Sequence, residues 1–184
     1  AGAPIADKPW TTKRKAELWA SRVSLTEQLV QWLGAQSHKP AVMVSGSAVG
    51  WYGDGGGAEM TERSPAKAEG GPIGGGEHYM PWVHLDDVVS LVVWLLQTPD
   101  CRGAYNASAP NPVTNREFAR ALGGALNRPA FMPLPGFVLK LALGEMSRLL
   151  LTGQRALPAK AEAEGFTFTY QYLDKALAAA VQSK

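Results

Sequence analysis

The sequence predicts an α/β fold built on a doubly wound parallel sheet, because helices and short apolar strands alternate along its first hundred residues. An amphipathic helix is predicted over 12–33, where apolar residues recur every three or four positions. A buried strand, 41–44, follows it between a proline and a glycine turn. A second strand, 79–85, runs directly into a helix over 86–97. This alternation is typical of parallel sheets with helices on both faces.

The first predicted helix carries a charged residue within its apolar stripe. Arg22 lies there between Leu18 and Leu25, so its guanidinium either extends past its neighbours into solvent or binds an anion. The residues alone leave both alternatives open. Glu17 lies about 140° round the helix from Arg22, so a direct pair between them is not expected.

The stretch 53–79 is rich in glycine, and no regular element is predicted within it. If the strands 41–44 and 79–85 lie parallel in one sheet, a crossover helix must connect them. The sequence offers none between them. We therefore expect residues to be missing near the junction of Glu69 and Gly70, and the chain to be the later part of a longer one.

Helices predominate after residue 100, where a small and mainly helical domain is predicted. A Thr-x-x-Glu capping box opens the first of these helices. The elements predicted in this part are a short strand at 104–107 and helices at 114–126, 135–151 and 172–181.

Composition and charge exclude several classes of function. The 184 residues are 46% hydrophobic and 18% charged with a net charge of +2, which suits one globular domain and is too weak for a nucleic-acid footprint. The longest apolar run, 88–96, is far shorter than a membrane span, so no membrane insertion is expected. The single Cys101 excludes a disulfide framework, and His38 and His78 lack metal-ligand spacing, so no metal is expected.

Two polar segments lie where the predicted strands end, which is the usual ligand crevice of a parallel sheet. Ser45 and Ser47 follow the first strand, and the alternative is a turn whose hydroxyls bond their own backbone. His84 lies at the end of the second strand and is a candidate substrate contact. There, however, Asp86 is a natural N-cap and Asp87 favours the positive helix end, which explains the segment without a ligand.

Taken in order, these segments resemble the extended short-chain dehydrogenase/reductase superfamily. The similarity is greatest to its sugar-nucleotide-epimerase-like branch, an atypical group of the NAD-dependent epimerase/dehydratase type with its own C-terminal domain. The motifs that carry the resemblance are Ala1-Gly2, Ser21-Arg22, Ser45-Gly46-Ser47-Ala48, Gly70-Gly71-Pro72-Ile73-Gly74, Trp82-Val83-His84-Leu85-Asp86-Asp87, Thr114-Asn115 and Gly153-Gln154-Arg155.

The resemblance implies a Rossmann-type domain over 1–100 that binds NADP(H), and a C-terminal domain over 101–184 that closes over a small-molecule substrate. The residues it places at the cofactor are Ala1, Gly2, Glu17 and Arg22, to which we add Ser45 from its position at the strand end. Ser47 falls where the superfamily has its catalytic serine, which hydrogen-bonds the reacting carbonyl or hydroxyl. Arg155 is a candidate for a substrate phosphate, and a helix-end role explains it equally well.

The segment that carries the Tyr and Lys of the superfamily's acid/base pair is absent from this sequence. Two functions therefore compete. One is an NADP-dependent oxidoreductase or epimerase that acts on a nucleotide-sugar-like or other small hydroxyl or carbonyl substrate. The other is a catalytically weak or inactive dinucleotide-binding scaffold, a structural subunit of a larger assembly. Both a homodimer and docking of the chain in such an assembly remain open alternatives. The expected location is the cytoplasm in a bacterium, and the mitochondrion or plastid in a eukaryote.

Overall fold

The computed structural model describes residues 2–5, 7–66, 78–128, 141 and 152–182. The chain forms two compact units, one of Ala1–Met43 with Phe137–Arg148 and the other of Val44–Gly136 with Leu149–Lys184. These units are clusters of contacts, so the domain boundary between 1–100 and 101–184 stays a prediction.

One long helix dominates the first unit. Helix α1 spans Thr12–Trp19, a π-helical segment spans Ala20–Ser24, and helix α2 spans Leu25–Ala35, which confirms the predicted helix. Thr11 caps its start, since the Thr11 hydroxyl oxygen accepts the backbone N–H of Arg14. The π-helical segment was not expected, because hydrophobic periodicity does not report a single widened turn.

The predicted buried strand at 41–44 is wrong for the residues that the structure describes. This segment pairs with no described strand, and Val42, Met43 and Val44 are 42%, 50% and 40% exposed. A strand needs a neighbour for its backbone N–H and C=O groups. Apolar composition predicted the burial of this segment but could not supply that neighbour.

Two short ladders organise the second unit, and of their four strands only the one at Tyr79–Met80 falls within a predicted strand. Strand β1 (Glu59–Met60) pairs in parallel with β4 (Arg155–Ala156), within the glycine-rich stretch where no element was predicted. Strand β2 (Tyr79–Met80) is shorter than predicted and pairs antiparallel with β3 (Val113–Thr114). The pairing partners lie far apart in sequence, so no local pattern announced them.

The predicted strand at 104–107 is also wrong, because its backbone bonds to side chains. The N–H of Asn106 donates to the Glu62 carboxylate at 2.8 Å, and no ladder forms over 104–107 in the described part of the chain. This segment therefore does not form a strand and is instead joined to a distant part of the chain by a side-chain hydrogen bond.

Four helices are described in the second unit: α3 (Leu85–Gln97), α4 (Asn115–Ala125), α5 (Ala159–Ala163) and α6 (Leu173–Gln182). Helices α3, α4 and α6 follow the prediction closely, whereas α5 was not predicted. The capping box of α4 is confirmed, with Thr114 and Glu117 bonding each other's backbone N–H groups, and those bonds hold the pKa of Glu117 below its usual value. The predicted helix at 135–151 lies outside the described residues except for Leu141.

Two apolar clusters form the core of this unit. One joins Trp82 and Ala109 to Leu173 and Ala176, and the other joins Leu91 and Ala161 to Phe166 and Phe168. In both clusters, residues from the last thirty positions of the chain pack against α3 or against the segment just before it. Of the helices described, none is long and apolar enough to cross a bilayer.

Candidate functional site

In the first unit, the loop at Gly2-Ala3 is bound by two consecutive helix residues. The N–H of Ala3 donates to the Ser21 hydroxyl at 3.1 Å, and the Arg22 Nη2 donates to the Ala3 carbonyl at 2.9 Å. A Cβ added at Gly2 would lie 3.3 Å from the Arg22 Cζ, so the guanidinium packs directly on the glycine backbone. Ala1, the other predicted cofactor contact in this loop, lies outside the described residues.

Arg22 keeps its charge available at this loop. The side chain is exposed, and its hydrogen bonds go to the neutral Ser21 hydroxyl and Ala3 carbonyl. No carboxylate among the described residues forms an ion pair with it. An exposed guanidinium against a glycine backbone suits an anionic group such as the phosphate of a dinucleotide, so these residues fit the implied cofactor.

Glu17 is engaged with another arginine that sequence reasoning missed. The Arg14 Nη1 donates to Glu17 at 3.0 Å, while its Nη2 donates to Asp7 at 2.6 Å and to the Pro4 carbonyl. The Glu17 hydrogen bond raises the pKa of Arg14, whose side chain is largely buried. The spacing of three residues between Arg14 and Glu17 was the available signal. Glu17 thus helps to fix the loop before α1, and its predicted contact with the cofactor stays a prediction.

In the second unit, Ser45 and Ser47 are both exposed. Neither hydroxyl bonds to a described residue, so the alternative of a turn whose hydroxyls bond their own backbone is not what forms. The chain then enters a 3₁₀ turn, Val49–Tyr52, whose last residue is 5% exposed. Ser47 therefore lies in an exposed segment whose position is fixed a few residues later, where the chain becomes buried.

The buried Tyr52 fixes this segment, and its hydroxyl is not free to transfer a proton. Its hydroxyl donates to the Asn106 Oδ1 at 2.9 Å in the interior, and burial raises its pKa. The Asn106 Nδ2 in turn donates to the Leu157 carbonyl at 2.9 Å. The sequence analysis gave Asn106 no role, although Asn106 is one of the residues that the chain shares with the family motifs.

His84 caps α3, which corrects the predicted capping by Asp86. The His84 Nδ1 accepts the backbone N–H of Asp86 at 3.2 Å. An imidazole whose Nδ1 accepts carries its proton on Nε2 when neutral, so the His84 Nε2–H is available as a donor. The ring lies against that of Tyr170, with centroids 3.9 Å apart.

Asp87 also has a structural role, though not the one predicted. Its carboxylate is 1% exposed and accepts the N–H groups of Thr169 and Tyr170 at 2.8 and 2.9 Å. It therefore ties the start of α3 to the segment that holds the ring beside His84. Its interaction with the helix dipole is secondary to these two bonds.

Arg155 lies in strand β4, and the helix-end alternative stays open because the end of the predicted helix 135–151 lies outside the described residues. Its Nη1 is 3.1 Å from the Glu59 carboxylate across the β1–β4 ladder, and its guanidinium lies 5.2 Å from the centroid of the Tyr79 ring. The Arg155 Nε is buried without a hydrogen-bond partner. Among the described residues no three His, Cys, Asp or Glu side chains group as a metal site would.

Comparison with known proteins places these features in a family. The chain is 31% identical to a chloroplastic SDR39U1 homologue of the epimerase family from Arabidopsis thaliana, covering 99% of this chain and 67% of that protein. It is 30% identical to the epimerase family protein YfhF of Bacillus subtilis, covering 91% and 72%. The plant alignment spans 233 positions, more than the 184 residues of this chain. The relative therefore has residues without a counterpart here, while their predicted place near residues 69 and 70 stays a prediction.

Solved structures give the fold. The human epimerase family protein SDR39U1 (isoform 2), crystallised with NADPH, superposes with a TM-score of 0.90 at 24% identity, covering all of this chain and 80% of that one. A nucleoside-diphosphate sugar epimerase from Corynebacterium glutamicum superposes with a TM-score of 0.71 at 21% identity, covering 96% and 45%. Both likenesses concern the Rossmann α/β fold.

The C-terminal part has its own match. Residues 134–180 match a domain of unknown function, DUF1731. Together with the two relatives, this match confirms the resemblance drawn from the sequence motifs. The chain therefore belongs to the SDR39U1-like epimerase family, an atypical short-chain dehydrogenase/reductase family of Rossmann fold with a DUF1731 domain at its C-terminal end.

Proposed function

We propose that this chain is an NADP(H)-binding oxidoreductase or epimerase that acts on a small hydroxyl or carbonyl substrate of the nucleotide-sugar type. The observation that carries the proposal is the exposed Arg22, which forms no ion pair with a described residue and packs on the Gly2-Ala3 backbone. The NADPH in the similar human structure supports the same choice of cofactor.

Gly2 and Arg22 hold the cofactor, with Ala1, Glu17 and Ser45 as further contacts. The side-chain-free Gly2 lets a ligand approach the backbone closely, and Arg22 supplies positive charge for a phosphate or polar groups for a ribose. When bound, NADPH supplies the hydride chemistry that the protein's own side chains lack.

Ser47 is the catalytic residue in this proposal. The Ser47 side chain is exposed and its hydroxyl bonds to none of the residues that the structure describes, so it can donate a hydrogen bond to the substrate oxygen. That bond stabilises the charge that develops on the oxygen as hydride moves. Tyr52 is excluded as the proton donor, because its hydroxyl is committed to Asn106.

His84 and Arg155 are the substrate contacts, and residues 101–184 form the domain that closes over the substrate. The His84 Nε2–H donates to a hydroxyl or carbonyl oxygen, since its Nδ1 is occupied. The Arg155 guanidinium, stacked on Tyr79, attracts an anionic group such as a diphosphate. Glu59 neutralises part of that charge, so Arg155 orients the substrate more than it strengthens binding.

The alternative function is a dinucleotide-binding scaffold with weak or no catalysis, used as a subunit of a larger assembly. The commitment of Tyr52 to Asn106 favours it, because the Tyr52 hydroxyl then does not serve as a proton donor. A second copy of the chain and a larger assembly are its candidate partners. A plastid location accords with the chloroplastic relative, and the cytoplasm or mitochondrion is expected in other hosts.

The cofactor role of Arg22 is tested by Arg22→Gln. We expect NADPH affinity to fall about tenfold or more, because a charge-assisted hydrogen bond contributes about 1.5–3 kcal/mol. Fluorescence titration of NADPH measures it, with the exposed Arg120→Gln as the matched loss of charge. Equal affinity in both variants would remove Arg22 from the site.

Ser47→Ala tests the catalytic role and separates the two functions. With NADPH oxidation followed over a panel of small carbonyl compounds and nucleotide sugars, we expect kcat/KM to fall on the order of a hundredfold. NADPH affinity should stay unchanged. Ser90→Ala, on the exposed face of α3, is the control. Turnover that survives in Ser47→Ala would remove Ser47 from the mechanism, whereas no turnover of the wild type on any panel member would favour the scaffold.

A further inference from the structure

The π-helical segment Ala20–Ser24 interrupts an otherwise regular helix at the point where that helix meets the Gly2-Ala3 loop. The backbone N–H of Leu25 reaches the Ala20 carbonyl, five residues back, in place of the usual four. One extra residue is therefore accommodated in this turn. Such segments are uncommon and are frequently found at functional sites.

Hydroxyl side chains stabilise the widened turn. The Thr26 hydroxyl donates to the Arg22 carbonyl at 2.6 Å, and the Ser21 hydroxyl donates to the Leu18 carbonyl at 3.1 Å. Both carbonyls lie at or beside the irregular hydrogen bonds. The two hydroxyls thus supply hydrogen-bond donors to backbone carbonyls in and next to the π-helical segment.

Within this segment, two consecutive residues reach the same loop residue. In a regular α-helix, Ser21 and Arg22 would point about 100° apart. Here the Ser21 hydroxyl accepts the Ala3 N–H while the Arg22 guanidinium donates to the Ala3 carbonyl, at 3.1 and 2.9 Å. Both backbone groups of Ala3 are therefore bound by side chains.

We propose that the π-helical segment holds the Gly2-Ala3 backbone in a fixed cofactor-facing conformation, with Ser21 as its positioning residue. This inference rests on the proposed function, because the cofactor at Gly2-Ala3 is NADPH. Ser21 acts through the loop and through Arg22, whose Nη1 lies 3.3 Å from the Ser21 hydroxyl. NADPH affinity then depends on a side chain that itself need not touch the cofactor.

The test compares Ser21→Ala with Ser24→Ala, a serine of the same segment whose side chain makes no capping hydrogen bond to α2. Ser21→Ala should lower NADPH affinity about fivefold, as expected for one lost neutral hydrogen bond. Ser24→Ala should leave the affinity unchanged, and Ser21→Thr, which keeps the hydroxyl, should restore it. Hydrogen exchange of the Ala3 amide without ligand is the second readout, and we expect protection in the wild type and its loss only in Ser21→Ala.

The outcomes separate this inference from the function on which it rests. If the wild type binds NADPH and Ser21→Ala binds it equally well, the positioning role is wrong and the proposed function stands. An unprotected Ala3 amide in the wild type overturns the positioning role as well. If the wild type does not bind NADPH at all, the proposed function is wrong, and the cofactor role of the segment is wrong with it.

Discussion

Gly153→Ala is expected to destabilise the chain by about 3 kcal/mol, as an overpacked residue with no room to relax does. A Cβ added at Gly153 would lie 2.0 Å from the Tyr79 carbonyl oxygen and 3.0 Å from its carbonyl carbon. Both are backbone atoms, so no flexible side chain can move aside. The Gly153 carbonyl also accepts the N–H of Gly55, which fixes the residue from its other side.

Urea unfolding followed by circular dichroism measures this effect through the denaturation midpoint. The matched control is Gly124→Ala in α4, where an added Cβ meets nothing within 4 Å. There we expect a gain of about 0.5–1 kcal/mol, because alanine is the better helix former. A Gly153→Ala midpoint at or above that of the wild type would show that Tyr79 and β4 do not approach as described.

Asp87→Ala is expected to lower the free energy of unfolding by about 3 kcal/mol. The substitution leaves two buried backbone N–H groups, of Thr169 and Tyr170, without their charged acceptor, and each orphaned group costs about 1–3 kcal/mol. The segment that holds Tyr170 against His84 loosens with it. Heteronuclear NMR should therefore show the His84 and Tyr170 signals broadened in this variant.

The neighbouring Asp86 provides the control. Its side chain is 70% exposed, and its backbone N–H still reaches His84 when the carboxylate is removed. Asp86→Ala should then cost less than about 1 kcal/mol, through the lost interaction with the helix dipole. Equal losses in the two variants would contradict a tie through Asp87 and favour simple charge at the helix end.

Helices were predicted well because each carries its own signal. The stripe of α1 and α2, the capping box at Thr114 and the apolar run of α3 are local patterns, and local patterns survive whatever surrounds them. The short ladders failed for the opposite reason. Glu59 and Arg155 meet from positions almost a hundred residues apart, and no residue near either one encodes that pairing.

The residues of the candidate site were likewise predictable only where their signal is local in the sequence. Arg22 and Ser47 were found because a charge within an apolar stripe and a serine after an apolar run are visible in sequence, and the family motifs then gave each one a role. Arg14, Asn106 and the positioning role of Ser21 were missed. Their roles depend on hydrogen bonds to residues 10, 51 and 18 positions away, which only the folded chain brings within reach.

Titration of the purified wild-type chain with NADPH, and in parallel with NADH, tests the central claim most directly. Nucleotide fluorescence and calorimetry report the stoichiometry and affinity without any knowledge of the substrate. Our account predicts saturable binding of one NADPH per chain, tighter than that of NADH. No saturable binding of either nucleotide up to millimolar concentration would contradict it, and would leave the chain a family member that does not bind the dinucleotide.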